Sequence, residues 1–154
     1  MKELLQYRSE LIERVDQVAH NFRNQCLVVE DAFTSIDGGW NVHQIAVHTR
    51  DVDKFVYGAR ARLTALEDNP EFQNFDGEAY MAEHYSAREP LNEVLDELVQ
   101  NVEDLVQLLH SLPREAWSRP SRHVMLGHGF TLQLWVEKDL AHIEEHLQTV
   151  KSHP

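Results

Sequence analysis

Residues 40–48 read Trp40-Asn41-Val42-His43-Gln44-Ile45-Ala46-Val47-His48, and their chemistry starts a helix. Asn41 is a favoured N-cap type, and Gln44 stands three positions on, where its side chain can reach back to the Asn41 backbone N–H. Trp40 and Ile45 occupy the two ends of a hydrophobic staple across that start. Apolar residues then recur at Ile45, Val52, Phe55, Val56, Ala59, Leu63 and Leu66. That spacing is one inward face of a helix ending near Glu67-Asp68-Asn69-Pro70.

Three further helices follow from the same periodicity. Upstream, Leu4, Leu11, Val15, Val18, Phe22, Cys26 and Val29 mark one stripe of a long first helix over residues 2–30. Downstream, a third helix starts at Pro90, a residue suited to the first helical position, and carries Leu91, Val94, Leu95, Leu98, Val102, Leu105 and Leu109 before Pro113. Ser86-x-x-Glu89 imitates a capping box, but it would place Pro90 where a helical N–H is needed, and it is set aside. The fourth helix covers 130–151, with Leu132, Val136, Leu140, Ile143, Leu147 and Val150 inward. No strand-type alternation or internal repeat competes with this reading.

The connections carry topology. Residues 67–89 form a long acidic and aromatic linker, including NPEFQNFDGEAYMAEHY at 69–85, with room for one short helix after Asp76-Gly77. Fully extended it spans about 70 Å, whereas a 22-residue helix is about 33 Å long. It can therefore cross the bundle and let the second and third helices run parallel. Residues 113–129 accommodate a small hairpin or an irregular loop. The expected architecture is all-α: a four-helix bundle with a long crossover between helices two and three, one domain over residues 1–154.

Composition narrows the function classes. Lys and Arg number 14 against 26 Asp and Glu, a formal net charge of −12. A chain this acidic lacks the clustered cations that grip phosphate backbones or anionic lipid heads, so neither nucleic acid nor membrane is an expected partner. The single cysteine, Cys26, cannot form an intramolecular disulfide and sits on the apolar stripe of helix one, where it reads as core. The opening MKELLQYRSELIERV interrupts any signal-type apolar run with acids, and the apolar run CLVV at 26–29 is far short of a membrane span. A cytoplasmic protein acting on a small molecule is the expectation.

Ten histidines are the anomaly of the composition. At about 100° per residue, His48 falls on the apolar stripe of helix two, between Ile45 and Val52. On helix four, Trp135, Asp139, His142 and His146 share one flank of the stripe. His43 points away from the stripe, and His20, His84, His110, His123, His128 and His153 lie off stripes, in linkers or in the tail; all seven are expected on the surface. Side chains four apart on a helix lie one above the other, so His142 and His146 can reach one ion. Chance alone gives roughly 0.6 such pairs at this histidine content, so the pair needs a third ligand to carry weight. His48 lies about 9 Å from the start of helix two and the His142/His146 midpoint about 10 Å from the end of helix four. Antiparallel packing makes the three imidazoles level; parallel packing separates them by about 12 Å, too far to share an ion.

Three neutral histidines with an open fourth position describe a catalytic rather than a closed structural site. Asp139, one turn before His142, is placed to accept a ring N–H or orient a bound nucleophile, and Asp51 is a weaker candidate for that task. Trp135 could wall the site, though core packing is its simpler role. The string His142-x-x-Glu145-His146 also satisfies a peptidase zinc motif, but that chemistry needs a further carboxylate ligand and a large cleft, which one small helical core does not supply.

Gly39-Trp40-Asn41-Val42-His43-Gln44-Ile45-Ala46-Val47-His48 resembles the opening of helix two in the DinB-like superfamily, and Asp139-Leu140-Ala141-His142-Ile143-Glu144-Glu145-His146 resembles its C-terminal His-x3-His helix. The resemblance spans about residues 40–147. It implies a bundle of up-down-down-up order, homodimers, and a divalent metal held by three histidines, here His48, His142 and His146. Zinc or nickel is the expected ion. It also implies a thiol-dependent S-transferase acting on a small electrophile, with bacillithiol, mycothiol or glutathione as cosubstrate. The alternatives are a metal-dependent hydrolase of the same family and a non-enzymatic, metal-stabilised binding bundle related to stress.

Overall fold

The computed structural model describes residues 1–153. Helix α1 (Lys2–Leu27) ends three residues before the limit expected from its stripe. Helix α2 (Val42–Val52) starts as its sequence dictates. The Asn41 side chain accepts the Gln44 backbone N–H at 2.8 Å, and the Gln44 side chain accepts the Asn41 N–H at 3.0 Å. Helix α2 then passes without a break through a single π-helical segment, Asp53–Tyr57, into α3 (Gly58–Leu66).

That π segment corrects the inward face expected from Asp53 onward, Val56 alone keeping its place within it. A π turn accommodates one extra residue, so every later position rotates by about 100°. Phe55, Leu63 and Leu66 are 43%, 37% and 62% exposed, while Asp53, Ala61, Thr64 and Ala65 turn inward instead. Gly58 permits the geometry. A Cβ there would meet the Asp53 carbonyl oxygen at 2.5 Å and its Oδ1 at 2.9 Å.

The linker holds the expected short helix, α4 (Gly77–His84), whose N-cap Asp76 accepts the Ala79 N–H at 3.1 Å. Helix α5 (Leu91–Ser111) follows with Pro90 as its N-cap. Ser86 closes only a local turn before it, accepting the Arg88 N–H. A 3₁₀ turn over Arg114–Ser118 leads into β2 (Pro120–His123) and β3 (Gly127–Thr131), an antiparallel hairpin. Helix α6 (Leu132–Lys151) completes the bundle, capped by the Thr131 side chain. The linker also contributes β1 (Glu71–Phe72), which pairs parallel to β2 and makes a three-stranded sheet in the order β1-β2-β3. Two residues carry no period, so this strand is invisible in the sequence.

Side-chain pairs give the helix directions. Arg8 bonds Gln133 at 2.9 Å and Arg14 bonds Glu144 at 3.0 Å, so α1 and α6 run parallel. Arg23 bonds Asp96 at 2.8 Å and His20 meets Glu103 at 3.1 Å, so α1 and α5 are antiparallel. His43 meets the Glu89 carbonyl at 2.7 Å and Lys54 pairs with Glu97 at 2.8 Å, so the α2–α3 rod runs with α5. The order is up-down-down-up. Phe22, Leu95, Leu98, Leu105, Leu132 and Ile143 are fully buried at the centre, each contributing about 1.5–3 kcal/mol of transfer free energy. No helix among the described residues is long and apolar enough to cross a membrane.

Candidate metal centre

The capping box sets the phase of α2, and two turns in, that phase turns His48 toward α6. Antiparallel packing brings His142 and His146 to the same height. His142 Nε2 lies 3.4 Å from His48 Nε2 and 3.0 Å from His146 Nε2. One ligand atom from each of the three rings falls within 4.8 Å of the others. Nitrogens bonded at 2.0–2.1 Å to one tetrahedral ion are separated by about 3.3 Å. The donor set therefore fits a single divalent cation.

Surrounding groups orient the rings. Trp40 packs on His48 with centroids 4.8 Å apart, and Tyr57 lies 5.6 Å from His142. Gly77, at the start of α4, admits the His48 ring: a Cβ there would stand 3.0 Å from its Cε1. Burial, with the neighbouring His146 adding to it, lowers the His48 pKa to about 4. Burial and the two other rings lower that of His142 to about 3. Burial alone lowers that of His146. All three are neutral at physiological pH, the form that ligates metals.

Behind His142 the structure holds a feature that the sequence does not announce. Asp53, on the π segment, meets Asp139 of α6, and the two side chains are 2% and 0% exposed. Two ionised carboxylates cannot donate to one another, and both oxygens of Asp139 and Oδ1 of Asp53 are buried without a hydrogen-bond partner. Two negative charges this deeply buried oppose one another, which favours the protonated form of the pair. Burial raises both pKa values, that of Asp53 to about 6 and that of Asp139 further, because Asp53 beside it opposes a second charge. Asp139 thus faces Asp53 and makes no hydrogen bond to His142, whose Nδ1 is buried without a partner.

The other expected site residues fall elsewhere. Trp135 is core: its Nε1–H donates to Ser121 Oγ at 2.7 Å, and its ring packs with Tyr57, Phe72 and Phe130. Asp51 is buried in an ion pair with Arg50 at 3.0 Å, away from the three histidines. Arg50 also binds Glu89 and Glu97, tying α2 to α5 and to the residues before it.

Two histidines expected on the surface are buried. His43 is 1% exposed because its Nε2–H donates to the Glu89 carbonyl while Nδ1 accepts the Tyr85 hydroxyl, each at 2.7 Å. The chain folded over the far side of α2 supplies those partners, which the periodicity of α2 alone cannot show. His123 is 5% exposed, its Nδ1 accepting the Met125 and Leu126 N–H groups in the hairpin turn. Asp53, Tyr57 and Gly77 are the neighbours of the centre that sequence reasoning missed. Only Gly77 carried a signal, as the residue after the Asp76 cap.

A sequence model of the DinB superfamily matches residues 9–150. No curated protein matches the sequence. Among solved structures, the chain is similar to YfiT from Bacillus subtilis, described as a probable metal-dependent hydrolase with an unusual four-helix bundle topology. The two share 22% identity and superpose with a TM-score of 0.83, over 94% of this chain and 83% of that one.

Proposed function

The chain belongs to the DinB superfamily, and from that premise we propose that it is a divalent-metal-dependent enzyme directing an external nucleophile at a small electrophilic substrate. The observation that carries this reading is the convergence of three neutral imidazoles at 3.0 and 3.4 Å. A divalent ion supplies Lewis-acid activation of substrate and nucleophile when bound. The protein's part is to hold His48, His142 and His146 unprotonated on two rigid helices and to limit water with Trp40 and Tyr57. Imidazole ligands suit zinc and nickel alike.

The nucleophile must come from outside. Cys26 is 1% exposed in the core, and burial pushes its thiol up to about 12, so the chain offers no reactive sulfur. Water as nucleophile gives a hydrolase, the reading favoured by the description of the similar YfiT structure. A low-molecular-weight thiol gives the S-transferase that the helix-two and helix-six motifs imply.

Metal analysis of protein purified without a histidine tag tests the site, with about one ion per chain expected and His48→Ala and His142→Ala each abolishing it. Full occupancy in His48→Ala would sink the site. Turnover of chlorodinitrobenzene with bacillithiol, mycothiol or glutathione, set against hydrolysis of small esters and amides, then separates the two nucleophiles. Loaded protein with no metal-dependent turnover of either kind would point instead to a metal-stabilised binding bundle.

A further inference from the structure

A cleft of about 480 Å³ opens between the start of α2 and α4, lined by Trp40, Gln44, Glu78, Met81, Ala82 and Tyr85. It borders the metal centre. Trp40 is both its wall and the ring packed 4.8 Å from His48, and Gln44 is one turn before His48. Its volume suits a small organic group.

Its only charged side chain is that of Glu78. Gln44 contributes a neutral amide whose Oε1 accepts the Asn41 N–H and keeps a second lone pair. Glu78 has no ion-pair partner among the described residues. No Lys, Arg or His lines the cleft, and an anionic group would enter it without a counter-ion. Beyond it the chain is acidic, with a net −12 and Glu145 near His48, against the two positive charges of an ion on the three neutral histidines. Trp40 and Tyr85 offer π systems, and Met81 an apolar floor that is 5% exposed. Aromatic rings beside a carboxylate are the chemistry that holds ammonium groups.

Resting on the metal-enzyme reading above, we propose that this cleft binds the non-reacting end of the substrate, and that this end is an amine-bearing cation on an apolar body. Glu78 pairs with the ammonium, while Trp40, Met81 and Tyr85 take the body.

Calorimetric titration of the metal-loaded protein with phenethylammonium, 3-phenylpropan-1-ol and 3-phenylpropanoate tests this, with metal content measured on the same samples. Phenethylammonium is expected to bind at least about tenfold more tightly than the neutral and anionic probes. Glu78→Gln erases that preference, and Glu83→Gln, an exposed acid on α4 outside the cleft, leaves it intact. Equal binding of the three probes, or a preference that survives Glu78→Gln, overturns the inference. A Glu78-dependent preference in protein that holds no metal upholds the cleft and overturns only the metal reading. Full metal occupancy without the preference overturns the cleft alone.

Discussion

A histidine packed against two others stays neutral, since burial strips the water that would solvate its charge and the neighbouring rings oppose a second one, which together outweigh the attraction of Glu145 for His48. Protons therefore compete weakly for the three ligands. Metal content after dialysis is expected to hold from pH 8 to about pH 5 and to fall as pH approaches about 4, the value for His48; a midpoint near the ordinary 6.5 would contradict the burial argument. The same depression means that the metal-free protein keeps this part of its stability above pH 6.5 and loses it as pH falls toward the folded values. Asp53 behaves in the opposite sense. Its folded pKa is raised to about 6, so the pair is most favourable at acid pH and costs stability as pH rises through about 6. Asp53→Asn removes one of the two charges and offers Asp139 a neutral amide donor. Thermal melts should show a gain on the order of 1–3 kcal/mol at pH 8 and none at pH 4, whereas a loss at pH 8 would mean that the ionised pair is favourable. Residue types alone announced His48, His142 and His146. They were silent on Asp53 and misplaced His43, because each of these meets its neighbour from a distant part of the chain, and they misplaced His123, whose ring folds back under its own hairpin turn.

Within an element, one extra residue decides which side chains reach the site. The π segment at Asp53–Tyr57 aims Asp53 at Asp139 and turns Tyr57 toward His142, and it depends on Gly58. Replacing a glycine inside a helix by alanine ordinarily stabilises it by about 0.5–1 kcal/mol. At Gly58 the sign should reverse, because the new methyl meets backbone at 2.5 Å. Gly58→Ala is expected to cost about 1–3 kcal/mol in chemical denaturation, comparable with other overpacked sites; a stabilised variant would show that the π segment does not require the glycine. The capping box at Asn41 was legible because it is local, two residues three positions apart joined by two hydrogen bonds. The π turn was not. The sequence periodicity of α2–α3 suits a regular helix, and burial of Ala61 and Ala65 in place of Leu63 and Leu66 reflects packing against α6.

Across the whole molecule, the metal centre joins the α2–α3 rod to α6, two elements about 90 residues apart in sequence. Ion binding to the folded state alone should therefore stabilise the entire bundle. At free metal about 100-fold above the dissociation constant the gain is about 2.7 kcal/mol, or roughly 5–11 °C in melting temperature for a domain of this size. Calorimetry of chelated and metal-loaded protein checks this, and far-ultraviolet dichroism at 20 °C should be alike in the two. Coincident melts would mean that the histidines hold no ion under those conditions.

Four bundle helices, the Asn41 cap, the short helix in the crossover and the three histidines were legible from local pattern, because helical period and capping act over fewer than about five residues, although Pro90 proved to be the N-cap of α5 and not its first residue. The sequence by itself also posed the condition on which the site rests, that helices two and four of the bundle run antiparallel. Packing between remote elements met that condition, through pairs such as Arg14 with Glu144, Arg23 with Asp96 and Lys54 with Glu97. The tertiary structure alone produced the third strand, the buried Asp53–Asp139 pair and the cleft beside His48. Each of these is a meeting of groups remote in sequence, and such meetings depend on packing between elements, which no local pattern encodes.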